Sequence, residues 1–264
     1  MSTQIPSVNQ QVEFWNSLMH PEKYTAGELD PGEFDLEKNL EFYRTPAQKY
    51  AYGRLGNITG KDVLELGCGM GLNAMIMARA GACVTAIDIA QKRVDWVNNL
   101  AQKYGLKNLK AVCMSAEELE FADESFDVIY SNEVLIHTDR QKALAEAQRV
   151  LRKGAQAIFI ESLKYNPLVN LYRYTLGPKI FKRIANHFSL KELKLFRANF
   201  DQVEHQEFYF LAFLAFFWQY GIQNLRMFRI SLALLNRIDE FIFRYFTFMR
   251  RFGWMSCIEC IKGE

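Results

Sequence analysis

The chain has 264 residues, half of them hydrophobic, with 32 lysine and arginine residues against 30 aspartate and glutamate residues. This composition supports a sizeable core and excludes a disordered or low-complexity chain, so we expect one domain with an elaboration. The longest apolar run, from Phe208 to Trp218, is too short to span a bilayer. The polar first residues lack the regions of a secretory signal, which predicts a cytoplasmic protein.

Four segments are predicted along the chain. Residues 1–55 are expected to form an N-terminal helical lid, and residues 56–210 a Rossmann-like core. Residues 211–252 are expected to form an aromatic and basic helical insertion, broken near Gly221. Residues 253–264 are predicted to supply the closing strand of the core sheet.

Short apolar runs alternate with helical stretches between Lys61 and Glu161, which is typical of strand–helix units that build a parallel sheet. We therefore predict an α/β fold with a doubly wound, mostly parallel sheet, in which ligands bind where strands end. Basic residues before Gly154 predict the end of a helix there. The predicted strands are Val63–Leu66, Cys83–Ile87, Lys110–Met114, Phe126–Ser131 and Gln156–Glu161, and the helices are Leu72–Ala80, Gln91–Tyr104 and Arg140–Leu151.

A glycine-rich segment, VLELGCGMG from Val63 to Gly71, lies between the first predicted strand and the first helix of this core. Glycine permits the turn and lets a ligand approach the backbone closely. Asp88 ends the second strand, where a carboxylate accepts hydrogen bonds from ribose hydroxyls. The glycine spacing differs from that of dinucleotide enzymes, and Glu65 favours a cationic ligand over a pyrophosphate. These residues alone leave open any nucleotide-binding Rossmann protein, or a turn without a ligand.

Five ordered motifs between residues 45 and 165 resemble those of class I S-adenosylmethionine-dependent methyltransferases, particularly the small-molecule group related to ubiquinone biosynthesis. The glycine segment is similar to the first motif, and AIDIA, from Ala86 to Ala90, is similar to the second. SAEEL, from Ser115 to Leu119, resembles the adenine loop. FDVIYSNEVLIHT resembles the fourth-strand motif, and RVLRKGAQAIFIE resembles the family's next helix, turn and fifth strand. The family's last two strands form a hairpin, which implies an antiparallel last strand and places residues 211–252 as an insertion.

The resemblance implies that S-adenosylmethionine is the cofactor. In the family, the first motif lines the methionine and sulfonium part, the acidic residue of the second motif binds ribose, and its neighbour contacts adenine. Ser115 stands where the family usually has aspartate, so the adenine contact would fall to Glu117 or to backbone. The predicted cofactor-binding residues are Glu65, Gly67, Cys68, Gly69, Gly71, Asp88, Ile89, Ser115, Ala116, Glu117, Ser131 and Asn132.

Two residues after strands are candidates for a general base. His137 follows the fourth strand, and its neutral imidazole can take a proton. Glu161 ends the fifth strand. For both residues the alternative is a structural role, in which the side chain holds a loop by hydrogen bonds.

Three tyrosines, Tyr24, Tyr43 and Tyr165, are candidates for contact with the substrate, and packing is the alternative for the first two. No metal site is expected. Cys257 and Cys260 form a single C-x-x-C with too few ligands for zinc, and their spacing on a strand puts them on opposite faces.

Basic charge is concentrated late in the chain, with 17 basic and 9 acidic residues in 151–264. Within 211–252, arginines alternate with bulky aromatic and aliphatic residues. Such helices can lie at a membrane surface, making the protein peripheral, or their apolar faces can pack on the core or across a homodimer. Nucleic acid is not expected as a partner, because the basic residues are mixed with aliphatic ones and the fourth-strand motif reads S-N-E-V.

The sequence therefore predicts an S-adenosylmethionine-dependent methyltransferase that acts on a small, hydrophobic acceptor such as a quinone, lipid or terpenoid-like molecule. Methyl transfer is an in-line displacement, so alignment and exclusion of water are the main requirements. Two alternatives stay open. One is a NAD-dependent oxidoreductase on the same kind of sheet, and the other is a non-catalytic cofactor-binding partner recruited to membranes or dimers.

Overall fold

A computed structural model describes residues 8–18, 45–175 and 185–264. Seven strands form one sheet in the order β3-β2-β1-β4-β5-β7-β6. Strands β1 to β5 pair in parallel, and β7 runs antiparallel to both β5 and β6. The predicted mostly parallel sheet with an antiparallel last strand is confirmed. The strands are β1 Asp62–Leu66, β2 Cys83–Asp88, β3 Leu109–Cys113, β4 Phe126–Asn132, β5 Leu151–Ser162, β6 Gln202–Phe208 and β7 Met255–Ile261.

Helices cover both faces of the sheet, as a doubly wound fold requires. One apolar core lies under α2, α3 and α4 and under residues 208–232, and the second lies under α5 and α7. The α-helices are α1 Val8–Leu18, α2 Pro46–Leu55, α3 Leu72–Arg79, α4 Gln91–Lys103, α5 Arg140–Val150, α6 Pro167–Thr175, α7 Leu193–Asn199, α8 Phe216–Tyr220 and α9 Leu225–Tyr245. No helix within the described ranges combines the length and the hydropathy needed to cross a bilayer.

The helical N-terminal segment is described in part, as α1 and α2. Residues 19–44, which include Tyr24 and Tyr43, lie outside the described residues.

The expected helix end at Gly154 is wrong. Helix α5 ends at Val150, and β5 begins at the next residue and runs for 12 residues. Val150 and Leu151 are both fully buried, so the chain enters the sheet before it reaches the glycine. Gly154 has φ +70° and lies where the pairing of β4 with β5 is irregular.

The insertion between β6 and β7 packs directly on the core. Phe228, Leu232 and Phe243 of α9 are buried, and Phe216 contacts both Phe228 and Trp254. Asp239 of α9 is also buried, where its carboxylate accepts hydrogen bonds from three successive backbone N–H groups, of Phe210, Leu211 and Ala212. This carboxylate fastens the middle of α9 to the loop that leaves β6.

The two cysteines of β7 lie on opposite faces of the sheet, as their spacing predicts. Cys257 belongs to the core under α2 to α4, and Cys260 belongs to the core under α5 and α7. Burial raises the pKa of the Cys257 thiol to about 12. Both thiols are therefore uncharged packing groups at neutral pH.

Candidate active site

The three glycines after β1 are needed for different physical reasons. All three have positive φ, between 52° and 81°. A Cβ atom at Gly67 would lie 2.3 Å from Val134 Cγ2, and one at Gly71 would lie 2.6 Å from Val97 Cγ2. A Cβ at Gly69 would meet nothing within 4 Å, although Gly69 lines a large cavity. The outer two glycines therefore serve packing, and the middle one leaves room for a ligand.

Asp88 joins the turns after β1 and β2. Its Oδ2 accepts a hydrogen bond of 3.0 Å from Gly69 N–H, and its Oδ1 accepts one of 2.9 Å from Ala90 N–H. Arg93 Nη1 lies 3.5 Å from Oδ2. The carboxylate is 5% exposed and still lines the cavity, so it holds the glycine turn while presenting negative charge to the same space.

The cavity has a volume of about 1580 Å³ and runs along the carboxyl ends of β1, β2, β4 and β5. Its first end is formed by the glycine turn, Asp88, Ile89 and residues 114–117. Helix α1 covers this end with Trp15, whose ring stacks under the Arg93 guanidinium at 4.3 Å and meets the His137 ring at 5.1 Å. Helix α1, which lies within the predicted N-terminal lid, therefore lines this end of the cavity.

A polar cluster occupies the middle of the cavity. His187 Nδ1 lies 3.0 Å from Ser162 Oγ, and Ser162 hydrogen-bonds the Glu133 carboxylate. Because a carboxylate only accepts, Ser162 donates to Glu133 and His187 donates through Nδ1 to Ser162. This assignment leaves His187 Nε2 as a hydrogen-bond acceptor.

The charges around this cluster are strongly affected by burial. Desolvation lowers the pKa of His187 to about 3, and the nearby cations Arg173 and Arg140 act in the same direction. Glu133 is exposed to the cavity that it lines. The protein around the cavity partly desolvates the carboxylate and raises its pKa, while Ser162 and Arg173 oppose that rise. Near neutral pH the imidazole is therefore uncharged. Glu133 is a stronger base than an ordinary carboxylate, and its φ of +56° is a strained value for a residue with a side chain.

The other end of the cavity is apolar. Aromatic and aliphatic side chains of α6, the 212–215 turn and α8 line it, and several also reach solvent. Those with the largest exposure are Leu171, Tyr172, Tyr174, Leu214 and Phe217.

Residues 64–159 match the family model described as a methyltransferase domain. This stretch of the chain therefore carries a methyltransferase domain. An O-methyltransferase of Aspergillus nomiae, rstn1, is 35% identical over 127 residues, which are 44% of this chain and 55% of that protein. A ubiquinone biosynthesis O-methyltransferase of Coxiella burnetii is 31% identical over 120 residues, 45% of this chain and 50% of that one. The chain thus spans about half the length of the curated relatives it matches.

Solved structures with this methyltransferase fold cover nearly the whole chain. The geranyl diphosphate C-methyltransferase of Streptomyces coelicolor superposes with a TM-score of 0.58 at 16% identity, over 98% of each chain. The [4+2]-cyclase SpnF superposes with a TM-score of 0.58 at 17% identity, over 100% of this chain and 99% of that one. At these identities the likeness shows the fold alone, and the second neighbour illustrates that one fold hosts different reactions.

Most residues predicted to hold the cofactor of the methyltransferase domain lie together around the first end of the cavity. Cys68, Gly71 and Ser131 are close in the sequence to residues that line the cavity, but they do not line it themselves. His137 also lines the cavity, and its carbonyl accepts a hydrogen bond from Gln11 of α1. Tyr165 is 44% exposed and lies outside the lining. The predicted cofactor residues that line the cavity are Gly67, Gly69, Asp88, Ile89, Ser115, Ala116, Glu117 and Asn132.

Two predicted carboxylates, Glu65 and Glu161, are buried behind the cavity of the methyltransferase domain. Asn73 and the Ala74 N–H hydrogen-bond Glu65, while Leu135 N–H donates to Glu161 Oε1 at 2.9 Å. Desolvation raises the pKa of each to about 8. For Glu161 this position favours the loop-holding alternative over catalysis, because its carboxylate orders the turn that follows β4.

The polar cluster of Glu133, Ser162 and His187 was not predicted from the sequence. Glu133 carried a usable signal, since it directly follows Asn132 at the carboxyl end of β4. His187 and Arg173 carried none, because only the fold brings them to the cavity.

Proposed function

We propose that this protein transfers a methyl group from S-adenosylmethionine to a small, lipophilic acceptor. The observation that carries the proposal is a single cavity with three successive regions. A glycine turn with a ribose-binding type of carboxylate lies at one end, a polar cluster with Glu133 lies in the middle, and an apolar mouth lies at the other end. A cofactor and an acceptor can therefore share one space.

The first end of the cavity suits the cofactor. Gly69 leaves its surface open, and Asp88 offers a carboxylate to ribose hydroxyls. Asn132 lines the cavity, and its Oδ1 is buried without a hydrogen-bond partner among the described residues, as expected of a group that serves a ligand. Ile89 supplies an apolar contact of the kind adenine needs. When bound, S-adenosylmethionine supplies a methyl group already activated by a sulfonium.

The middle of the cavity suits the nucleophile of the acceptor. We assign Glu133 as the residue that accepts a proton from it, because its carboxylate faces the cavity and has a raised pKa. His187 is a poor proton acceptor, since nearby cations and burial disfavour its charged form. Its Nε2 instead serves as a hydrogen-bond acceptor that orients the donor group. His137 remains an alternative base at the edge of the lid.

The apolar mouth supports a hydrophobic acceptor of the quinone, lipid or terpenoid-like kind. Leu168, Phe213 and Phe216 line the wall between the cluster and the surface. Burying apolar acceptor atoms there contributes about 25 cal/mol per Å². This favourable free energy can bind an apolar molecule whose single polar group reaches Glu133.

Incorporation of label from methyl-labelled S-adenosylmethionine into a total lipid and metabolite extract tests the proposal. We expect a labelled product that partitions into organic solvent and that disappears with the Glu133→Gln variant. Cofactor binding without any labelled product would contradict methyl transfer and favour a non-catalytic binding partner. Affinity for NAD with none for S-adenosylmethionine would favour the oxidoreductase alternative.

A further inference from the structure

Helix α9 has two apolar faces. Its inner face packs on the core through Phe228, Leu232 and Phe243. Its outer face repeats at intervals of three and four residues, which places its side chains along one line on the opposite side. The outer residues are all at least 36% exposed within the described structure, and they are Met227, Ile230, Leu234, Ile238, Phe241 and Tyr245. We call these six residues the α9 stripe.

Arginines flank this stripe on one side. Arg226, Arg237 and Arg244 are spaced by eleven and seven residues, so at 3.6 residues per turn they fall close to one line. All three are exposed. Of the two acidic residues of α9, Asp239 is buried under backbone N–H groups, so Glu240 is the only exposed acid on the helix.

We propose that the α9 stripe docks on the surface of an anionic lipid bilayer, with these arginines at the headgroups. An exposed apolar stripe bordered by cations has the charge and shape of an interfacial helix. A second copy of this chain fits less well. Two-fold pairing through the stripe would bring the same arginines together, without an acidic row on that face to oppose them.

The mouth of the cavity adds support, in a step that rests on the proposed function. Leu214 and Phe217 are exposed and line the mouth, and they belong to the same insertion as α9. Residues of the 212–215 turn and of α8 pack against α9. A lipophilic acceptor dissolved in the bilayer would enter the cavity at this mouth, where the side chains that it passes are apolar.

Vesicle co-sedimentation of the full chain tests the docking without any need for cofactor or activity. We expect binding to vesicles of phosphatidylcholine mixed with phosphatidylglycerol, and much weaker binding to phosphatidylcholine alone. Replacing Arg226, Arg237 and Arg244 together by glutamine should weaken binding to mixed vesicles by on the order of a hundredfold, since each cation near an anionic surface contributes roughly fivefold. The matched control, Lys194→Gln with Arg197→Gln on α7, should bind as the wild type does.

A second variant, Leu234→Gln with Phe241→Gln, tests the apolar part of the surface. It should lose vesicle binding, while Ala233→Gln, exposed on the same helix outside the stripe, should retain it. Equal sedimentation of the wild type and both multiple variants would overturn the proposal. So would a dimer, seen by analytical ultracentrifugation, that Leu234→Gln with Phe241→Gln dissociates while vesicles bind neither protein. Calorimetric cofactor binding by the same preparations separates failure of docking from failure of the proposed function.

Discussion

The glycine turn after β1 and the insertion that carries α9 differ in what determines their structure. The turn depends on backbone conformation and on two close contacts, so changing one atom there alters the site directly. The insertion depends on which face of a helix is buried, and its outer face tolerates change without loss of fold. The glycine-turn end of the cavity is therefore specified by local backbone conformation, whereas the apolar mouth and the outer surface are specified by which side chains are buried.

The largest expected effect is on the rate of methyl transfer. Glu133→Gln keeps the size and hydrogen bonding of the side chain but removes the proton acceptor, so kcat should fall by about 10²- to 10⁴-fold. KM for the acceptor should change little. In the wild type, kcat should rise as pH increases through the raised pKa of Glu133, because the ionised carboxylate is the active form.

The Glu133→Gln variant should lose this rise of kcat with pH, the acidic limb of the pH profile, as measured by initial rates across the pH range. His137→Asn is the comparison variant that distinguishes the two candidate bases. An unchanged kcat in Glu133→Gln, together with loss of the acidic limb in His137→Asn, would assign the base to His137 instead.

Next in size is the effect of filling the turn. Gly67→Ala places a Cβ 2.3 Å from Val134 Cγ2 at a φ of +65°, and overpacking together with backbone strain should lower the free energy of unfolding by about 2–4 kcal/mol. Gly60→Ala is the matched control, because Gly60 has φ +73° but open space around it. It should lower that free energy by only about 1 kcal/mol.

Urea denaturation measures both variants. Adding Val134→Ala to Gly67→Ala should recover part of the loss, since it removes the methyl group that clashes. Equal destabilisation by Gly67→Ala and Gly60→Ala would show that the contact with Val134 does not restrict the turn.

Much of the glycine turn after β1 could be predicted from the sequence because the residues that indicate it are close together in the chain. The strand before the turn, the glycine spacing and Asp88 lie within 26 residues of one another, from Val63 to Asp88. The start of β5 could not be predicted, because Gly154 and the basic residues before it are typical of a helix end. The strand begins earlier because Leu151 is buried in the core. His187 and Arg173 reach the cavity only through the packing of distant segments. The sequence shows that α9 is rich in apolar residues, but which of them face the core is settled by tertiary contacts.

The buried carboxylate beneath the turn should make stability depend on pH. The pKa of Glu65 is about 8 in the folded protein and near the ordinary carboxyl value when unfolded. Folding therefore favours the protonated form, so its contribution to stability is complete below the unfolded pKa and is lost as pH rises toward 8. The loss across this window should be on the order of 3–5 kcal/mol.

Glu65→Gln should remove the part of this dependence that Glu65 contributes and leave the part due to Glu161, whose pKa is also about 8, as measured by unfolding at several pH values without cofactor. Glu204→Gln, at a side chain that is 68% exposed, is the control and should leave the pH profile of the wild type unchanged. A Glu65→Gln profile as steep as that of the wild type would show that this carboxyl group does not titrate on unfolding.

The smallest effect belongs to the outer surface of the insertion. Leu234→Ala, at 60% exposure, should change the free energy of unfolding by about 0.5 kcal/mol or less. Leu232→Ala, two residues away at 7% exposure, should lower it by about 2–4 kcal/mol because it opens a cavity in the core. Thermal unfolding of the two variants compares the faces, and a large loss at Leu234 would mean that the α9 stripe is covered in the protein.

Calorimetric titration of S-adenosylmethionine and NAD into the wild type and Gly69→Ala most directly tests the claim that the glycine turn and Asp88 hold the sulfonium cofactor. We expect the wild type to bind S-adenosylmethionine and not NAD. Gly69→Ala should weaken that binding at least about tenfold through the added Cβ facing the cavity, with a stability loss no larger than that of Gly60→Ala. Binding of S-adenosylmethionine that Gly69→Ala leaves unchanged, or binding of NAD alone, would contradict the claim.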